Sequence, residues 1–369
     1  MTPAPAFFPY DPSRRLVAPP PLGRSLVVAA FFLCVCRVFS GESTEAIDAA
    51  PYRAPYKYGK LVLEKSDAPG AFDSKLVDIP FVFSADGKFY MTYVGHDGVG
   101  YQTGLAESDD LVTWRKDGLI LGRDPSSPTV RYNIALMGIL RSNDLSDPGT
   151  LKKVNGRYLG VWNAYSEPGY EQGSAVLGLA WSDDLKHWQV GEPVLRPQDG
   201  SAWERGSLCK ACLVEDGGTY YIFYNAKSAN HGTWVEQIGV ATSRDLKTWT
   251  RYGGNPIISN GPKGSWDEHY VGNPDVLRRG ATWVVYYYGL SADRKARDLL
   301  ALGPDPYHLT KVNEIMLDAG PPGSVDQTYA HKPSVISYRG DLYHFYCAVS
   351  RSAGQTVRGI SVARSRPWP

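Results

Sequence analysis

An aspartate two residues before a proline, Asp78 in DIP, stands at the head of the best-patterned stretch of the chain, residues 72–121. The next similar stretch carries an acid at the matching place, Asp147 of DPG, and later stretches carry Asp275 in NPD and His331 in HKP. Carboxyl groups brought together can divide the work of acid and base, and a histidine donates a proton near neutral pH with modest tuning. Glu204 is a further candidate acid, although it superposes on Asp73 and Asp267 as part of a repeated F/W-D/E pair, which reads as a structural device. Lys210 and Lys332 lie beside these positions and would suit an anionic group or pair with the neighbouring acids.

The elements that must position these residues are repeats. The first unit runs from the apolar strand Phe81 to Phe83, through a polar turn, to the aromatic strand Phe89 to Val94. A glycine-rich loop, a third strand ending in SDDLVTW, and a short strand from Gly118 to Leu121 complete it. Similar units begin at Ser146 and near Ala202, Ser265 and Val325. Five units of roughly 45 to 65 residues, each reading as up to four strands, predict an all-β fold, a five-bladed β-propeller of four-stranded antiparallel blades. Trp114, Trp188 and Trp249 of the S-(D/R)-D-L-x-x-W boxes are expected to wedge between blades. The fifth unit lacks a fourth strand, and KLVLEK at residues 60–65 is expected to supply it and close the ring. First strands line a propeller's axis. Asp78 therefore aligns with Asp147, Cys209 or Lys210, Gly272 or Asn273, and His331 or Lys332, with Asp275 just inside. Loops between second and third strands ring the same mouth: His96 and Asp97, Tyr165 to Glu171, Lys227 to Trp234, Arg294 to Arg297, and Arg351.

Composition narrows the partners. Of 369 residues 21% are charged and the formal net charge is +1, so nothing favours nucleic acid or an anionic membrane. Gly 38, Pro 27, Tyr 24 and Trp 10 describe many short strands joined by tight turns. Residues 1–40 read as a secretory signal: Arg14, Arg15 and Arg24 precede an apolar run from Leu26 to Cys36, then small residues before a cut near Gly41. An uncleaved anchor is the alternative. The expected location is therefore secreted or periplasmic, with no membrane association after cleavage, a lead-in at 41–60 and one domain at 61–369. Cys209 and Cys212 have no second pair to complete a zinc site, and the mature chain's cysteines are expected as buried thiols.

The F/W-D/E pairs, the acid two residues before proline, the YYxFY-type second strands and the SDDLxxW boxes together resemble the five-bladed propeller glycoside hydrolases of families 43, 32 and 117. The mannoside phosphorylases of family 130 are more distant. The resemblance covers residues 61–369. It implies a carbohydrate substrate and axial carboxylates that cleave glycosidic bonds, one protonated and one ionised. Asp78 and Asp147 fall where family 43 places its base and its auxiliary aspartate. Asp78 is then base or nucleophile, and Asp147 orienter or second carboxylate. The third acid of that family, a glutamate heading blade three, is missing, since Cys209 or Lys210 stands there. Family 117 suggests His331 as general acid with Asp275 as companion.

Trp234 and Tyr165 are expected as sugar-stacking platforms, with His96 and Arg351 as further substrate contacts. No cofactor is required, while a structural calcium in the central channel has precedent in family 43. The alternatives are a mannoside-phosphorylase-like enzyme and a non-catalytic propeller that binds glycans or proteins. Kelch and WD40 scaffolds fit less well, because their signature dipeptides do not recur.

Overall fold

The computed structural model describes residues 48–352 and 354–369. The predicted secretory segment lies outside them. A short β1 (Tyr56–Lys57) precedes a first unit of β2 (Leu76–Ala85), β3 (Lys88–His96), β4 (Tyr101–Ser108) and β5 (Arg115–Leu121). The second unit holds β6 (Ala135–Ile139), β7 (Lys153–Val154), β8 (Arg157–Tyr165), β9 (Ala175–Ser182) and β10 (Trp188–Leu195). The third holds β11 (Ser207–Asp216), β12 (Thr219–Lys227), β13 (Glu236–Ser243) and β14 (Thr250–Arg251). The fourth holds β15 (Tyr270–Arg279), β16 (Thr282–Leu290), β17 (Ala296–Gly303) and β18 (Thr310–Lys311). The fifth holds β19 (Tyr329–Tyr338), β20 (Asp341–Ser352) and β21 (Gln355–Arg364). The fold is all-β and propeller-like. Within each unit successive strands pair antiparallel, and the first strands touch in a cycle: β2, β6, β11, β15, β19 and back to β2.

Apolar packing follows the same cycle. Separate clusters join the units pairwise, and the cluster of Val82, Met91, Ile336 and Phe345 joins the first to the fifth. Burying a large apolar side chain there contributes about 1.5–3 kcal/mol. Each box tryptophan sits in the cluster shared with the preceding unit, and Trp114 meets Phe345 edge-on at 5.8 Å. The boxes themselves are turn locks. Ser108 Oγ accepts the Leu111 N–H at 2.9 Å, and Asp110 Oδ1 accepts those of Val112 and Thr113 at 2.8 and 2.6 Å. The bonds recur at Ser182–Asp184 and Ser243–Asp245.

A second repeated device fixes the outer strands. Asp73, Glu204, Asp267 and Asp326 are buried, and each accepts from a second-strand tyrosine hydroxyl and from a fourth-strand cation. Glu204 takes Tyr224 at 2.8 Å and Arg251 at 3.1 Å, and Asp267 takes Tyr287 at 3.2 Å and Lys311 at 2.6 Å. In the fifth unit Tyr346 reaches Asp326 at 2.9 Å, and the cation is Lys57 of β1 at 2.6 Å. β1 therefore stands where a fourth strand would, with Tyr56 and Lys57 paired to Arg364 and Ala363. The ladder beside β21 lies at Tyr56–Lys57, ahead of the strand expected at 60–65, of which Leu63 forms a bridge to Ile360. The expected lead-in also packs: Ala49, Tyr52 and Ala54 are buried against the fourth and fifth units.

The second unit departs from the sequence reading. Its first strand is β6, which begins at Ala135, well ahead of the expected start at Ser146, and residues 140–152 are an excursion before the chain resumes as β7 beside β8. Arg141, at the start of that excursion, is turned into the axis. Its guanidinium binds Asp275 at 2.9 and 3.2 Å, donates to the Val335 carbonyl at 3.1 Å and also to the Val82 carbonyl. One side chain thus ties β2, β15 and β19 to the second unit. Replacing Arg141 by Ala leaves Asp275 buried without its counter-charge. Urea unfolding is expected to show a loss of about 3–5 kcal/mol, against a smaller loss for the double replacement Arg141→Met with Asp275→Leu. Equal losses in the two variants would deny the pair this role.

Candidate functional site

The acid-before-proline pattern marks a bulge. In every first strand the pairing slips by one residue, between Asp78 and Phe81, Leu136 and Gly138, Cys209 and Cys212, Gly272 and Asp275, and His331 and Ser334. Pro80, Pro274 and Pro333 occupy the slip, where a missing N–H costs no ladder bond. The residue before each proline, and Lys210 in the third unit, takes a positive φ of 45–67°. Such a bulge bends the strand and re-aims its side chains. Asp78 is therefore in register with Leu136, Cys209, Gly272 and His331, whereas Lys210, Asn273 and Lys332 match Ile79. The bulge residues Lys210 and Asn273 line a narrow axial cavity with Met137 and Asp275, with room for about one water.

A second repeat position completes the cluster. Tyr101 and Glu236, the first residues of β4 and β13, pair with His96 and Lys227, and Arg358, three residues into the longer β21, holds the equivalent place opposite Val349. The loop between β8 and β9 adds Tyr170 and Glu171. It is closed at its neck by Ser166 N–H to the Ser174 carbonyl at 2.9 Å and pinned to the first unit by Gly169 N–H to the Val99 carbonyl at 2.7 Å.

Two linked nests of charge result. In the first, one oxygen of fully buried Asp78 accepts from Lys332 at 2.7 Å, Arg358 at 2.6 Å and the Tyr170 hydroxyl at 2.6 Å. Burial alone would raise the Asp78 pKa, but Lys332 and then Arg358 hold it well below the usual carboxylate range. In the second, Lys210 Nζ lies 2.9 Å from Glu171 and 3.9 Å from Glu236, and Lys227 Nζ 3.5 and 3.9 Å from the same two. The two glutamate oxygens facing Lys210 are thus at most about 6.8 Å apart, the sum of its two distances. Tyr288, Trp234 and Asn225 donate to Glu236 at 2.9, 3.0 and 3.1 Å, while Tyr101 donates to Glu171 at 3.2 Å. Burial opposes ionisation of both glutamates and the lysines outweigh it, so both are held below their ordinary pKa. Burial keeps the Tyr101, Tyr170 and Tyr288 phenols protonated, as neutral donors. Lys332, 3.7 Å from Glu171, joins the nests.

The structure gathers Asp78, Lys210, Lys332, His96 and Trp234 from the sequence prediction and places the rest elsewhere. Asp147 sits in the excursion after β6, its carboxylate accepting the Thr150 N–H at 2.6 Å, because DPG interrupts a first strand and does not begin one. Asp275 is bound to Arg141 and does not meet His331. His331 is buried, and burial followed by Lys332 and Arg358 keeps it neutral. Its Nδ1 lies 3.0 Å from the Cys347 carbonyl, which can only accept, so the ring's proton is already given to the backbone and the general-acid expectation for His331 is corrected. Glu204 belongs to the tyrosine–cation device. Tyr165 is buried beneath Lys227, 5.6 Å from its ring centroid, and offers no sugar platform. Trp234 is part-exposed and stacks on Tyr270 at 6.2 Å. His96 forms wall, its Nδ1 accepting the Gly98 N–H at 2.9 Å, and Arg351 covers the Tyr329 ring at 4.9 Å. The three cysteines among the described residues, Cys209, Cys212 and Cys347, are free and buried. Among the described residues no three His, Cys, Asp or Glu side chains gather to hold a metal ion. With Asp275 taken by Arg141, the axis does not fit a calcium ion.

Sequence reasoning missed Glu236 and Arg358, and gave Tyr170 and Glu171 a place in a mouth loop but no chemistry. The available signal was an acid or a base at the mouth end of a third strand, where the second and fourth units have alanine.

Asp78→Asn removes the anion beneath Lys332 and Arg358. Because the folded carboxyl titrates below its unfolded value of about 3.9, its stabilisation is present above that pH and is lost as pH falls through the folded pKa. Urea titrations of the two proteins are expected to differ by about 3–5 kcal/mol at pH 7, with the gap closing only below about pH 4. A gap under about 1 kcal/mol at pH 7 would contradict this.

Comparison with known proteins agrees with this architecture. Residues 141–301 match the model of the glycosyl hydrolases family 32 N-terminal domain. An uncharacterised protein of Mycobacterium tuberculosis (strain CDC 1551 / Oshkosh), MT1551, is 30% identical over 143 residues, 38% of this chain and 44% of that protein. The 1,2-beta-oligomannan phosphorylase of Thermoanaerobacter sp. (strain X514) is 26% identical over 158 residues, 41% of this chain and 43% of the relative. The chain thus spans less than half the length of these curated relatives. Solved structures cover more. A solved RGII complex of BT0996 superposes with a TM-score of 0.73 at 29% identity over 86% of this protein and 94% of that one. A structure described as a glycoside hydrolase gives 0.72 at 28% identity over 86% and 93%. In motifs, family model and superposition alike, the chain resembles the β-propeller glycoside hydrolases.

Proposed function

We propose that the protein is a secreted glycoside hydrolase, built as a closed five-bladed propeller, that cleaves glycosidic bonds in oligo- or polysaccharides with Glu171 and Glu236 as its carboxyl pair. The observation that carries this reading is the meeting of two glutamates from different units over two shared lysines, beside a part-exposed tryptophan. Glu236, held by three neutral donors as well as the lysines, is the ionised partner, acting as nucleophile or as base on water. Glu171, on a loop and held ionised by its lysines in the unliganded protein, becomes the acid once substrate draws those lysines off: its proton then goes to the leaving oxygen as the bond from the anomeric carbon breaks. Water then supplies the hydroxyl to that carbon and returns a proton to the pair. Asp78, enclosed by its donors, positions Lys332, Arg358 and Tyr170 and does not act as base. The cycle of first strands and the pairing of β1 with β21 support five blades closed by β1. Trp234, part-exposed between Tyr270 and Lys227, borders the space a sugar would take. Export by residues 1–40 belongs to the same reading, and a mature protein beginning near Gly41 is its test.

The oligomannan phosphorylase among the relatives favours one second reading, phosphorolysis, with phosphate held by the lysines. Sugar release that requires phosphate would select it, and release in phosphate-free buffer excludes it. Under the hydrolase reading Glu171→Gln and Glu236→Gln each lower kcat about 10²–10⁴-fold in reducing-sugar assays on a polysaccharide panel, with the fold retained but melting at a lower temperature, because each leaves Lys210 and Lys227 short of a counter-charge. Asp147→Asn keeps wild-type turnover. Undiminished release by both glutamate variants would end the assignment.

A further inference from the structure

Four cations, Lys210, Lys227, Lys332 and Arg358, meet three carboxylates, Asp78, Glu171 and Glu236, and the lysine side chains are only 3–5% exposed. Asp78 is committed to Lys332 and Arg358. Lys210 and Lys227 are therefore balanced by Glu171 and Glu236 only while both glutamates are ionised. Cleavage requires one of them to carry a proton, and that proton raises the surplus of positive charge in a place where water screens it poorly. A neutral sugar brings nothing to offset it. An anionic group seated on the lysines would offset it, and would draw them off Glu171 so that this carboxyl can hold its proton. Lysine is suited to such a role, since its compact charge and three rotatable donors accept an oxyanion without a fixed fork geometry. Lys227 also lies 5.0 Å from the Trp234 ring centroid, so a charge on a sugar stacked there falls within its reach.

We propose that the substrate is an anionic saccharide whose carboxylate or sulfate docks on Lys210 and Lys227 next to Glu171. This rests on the hydrolase reading for the need of a protonated Glu171, but the anion site is testable without turnover. The full chain is assayed with acidic oligosaccharides, their carboxyl-reduced counterparts and their desulfated counterparts. Product release and the shift in melting temperature are both recorded. Acidic ligands are expected to raise the melting temperature and to be cleaved at least tenfold faster than one of the neutralised forms. Loss on carboxyl reduction identifies a uronate, and loss on desulfation a sulfated sugar. Lys227→Met abolishes the preference and Lys227→Arg retains it. Glu171→Gln and Glu236→Gln lower cleavage about 10²–10⁴-fold yet keep acid-dependent stabilisation; undiminished cleavage in them with stabilisation intact would fell the hydrolase reading and leave the anion site standing. Equal response to acidic and neutralised ligands, no stabilisation by any acidic ligand, or stabilisation by inorganic phosphate alone overturns the inference.

Discussion

A guanidinium buried at the axis must be surrounded by acceptors, and Arg141 finds them only if four units hold their places at once. Its carboxylate is on β15, its carbonyls are on β2 and β19, and its own backbone follows β6. Apolar packing between adjacent units is tolerant of small shifts, but a fork of fixed N–H directions is not. The pair therefore fixes the register of the first strands against each other. On that register depends everything presented by their bulges.

The bulges turn a repeated scaffold into an asymmetric site. Equivalent backbone positions hold Ile79, Lys210, Asn273 and Lys332, and the third-strand positions hold Tyr101, Glu236 and Arg358. The same local geometry thus aims different charges at one volume. The tyrosines among them set limits on that charge. As neutral phenols they donate to the carboxylates and separate the nests without adding a further anion. Trp234 has two parts to play, its N–H on Glu236 and its face beside Lys227.

The strands, turn boxes and unit-start acids were legible because each is written several times over and obeys local rules: alternation, side-chain caps, a proline where no ladder bond is needed. Asp78, Lys210 and Lys332 were legible because they break that repetition on the first strand. Asp147 misled because DPG has the look of a unit start, while the structure makes it an excursion inside a first strand. Glu171 was obscured by a loop of non-repeating length, whose backbone carries no register from which to infer direction. Glu236 and Arg358 were recoverable in principle. They break the repetition too, but on third strands, whose mouth ends come together only because the hairpins of the units converge there. That convergence is a tertiary fact.

The pairing of Tyr56 and Lys57 with Ala363 and Arg364 has a consequence for how the chain is made. Four units can assemble from neighbours in sequence as they emerge from the ribosome, whereas the fifth must wait for a strand synthesised some three hundred residues earlier. Until β21 arrives, β1 has no partner, and the buried Asp326 lacks the lysine that neutralises it. Contacts of such sequence separation form late and slowly. A nascent chain stalled before Gln355 would hold an exposed sheet edge on β20, a target for chaperones or proteases, so that quality control of this fold is concentrated at the moment β21 emerges.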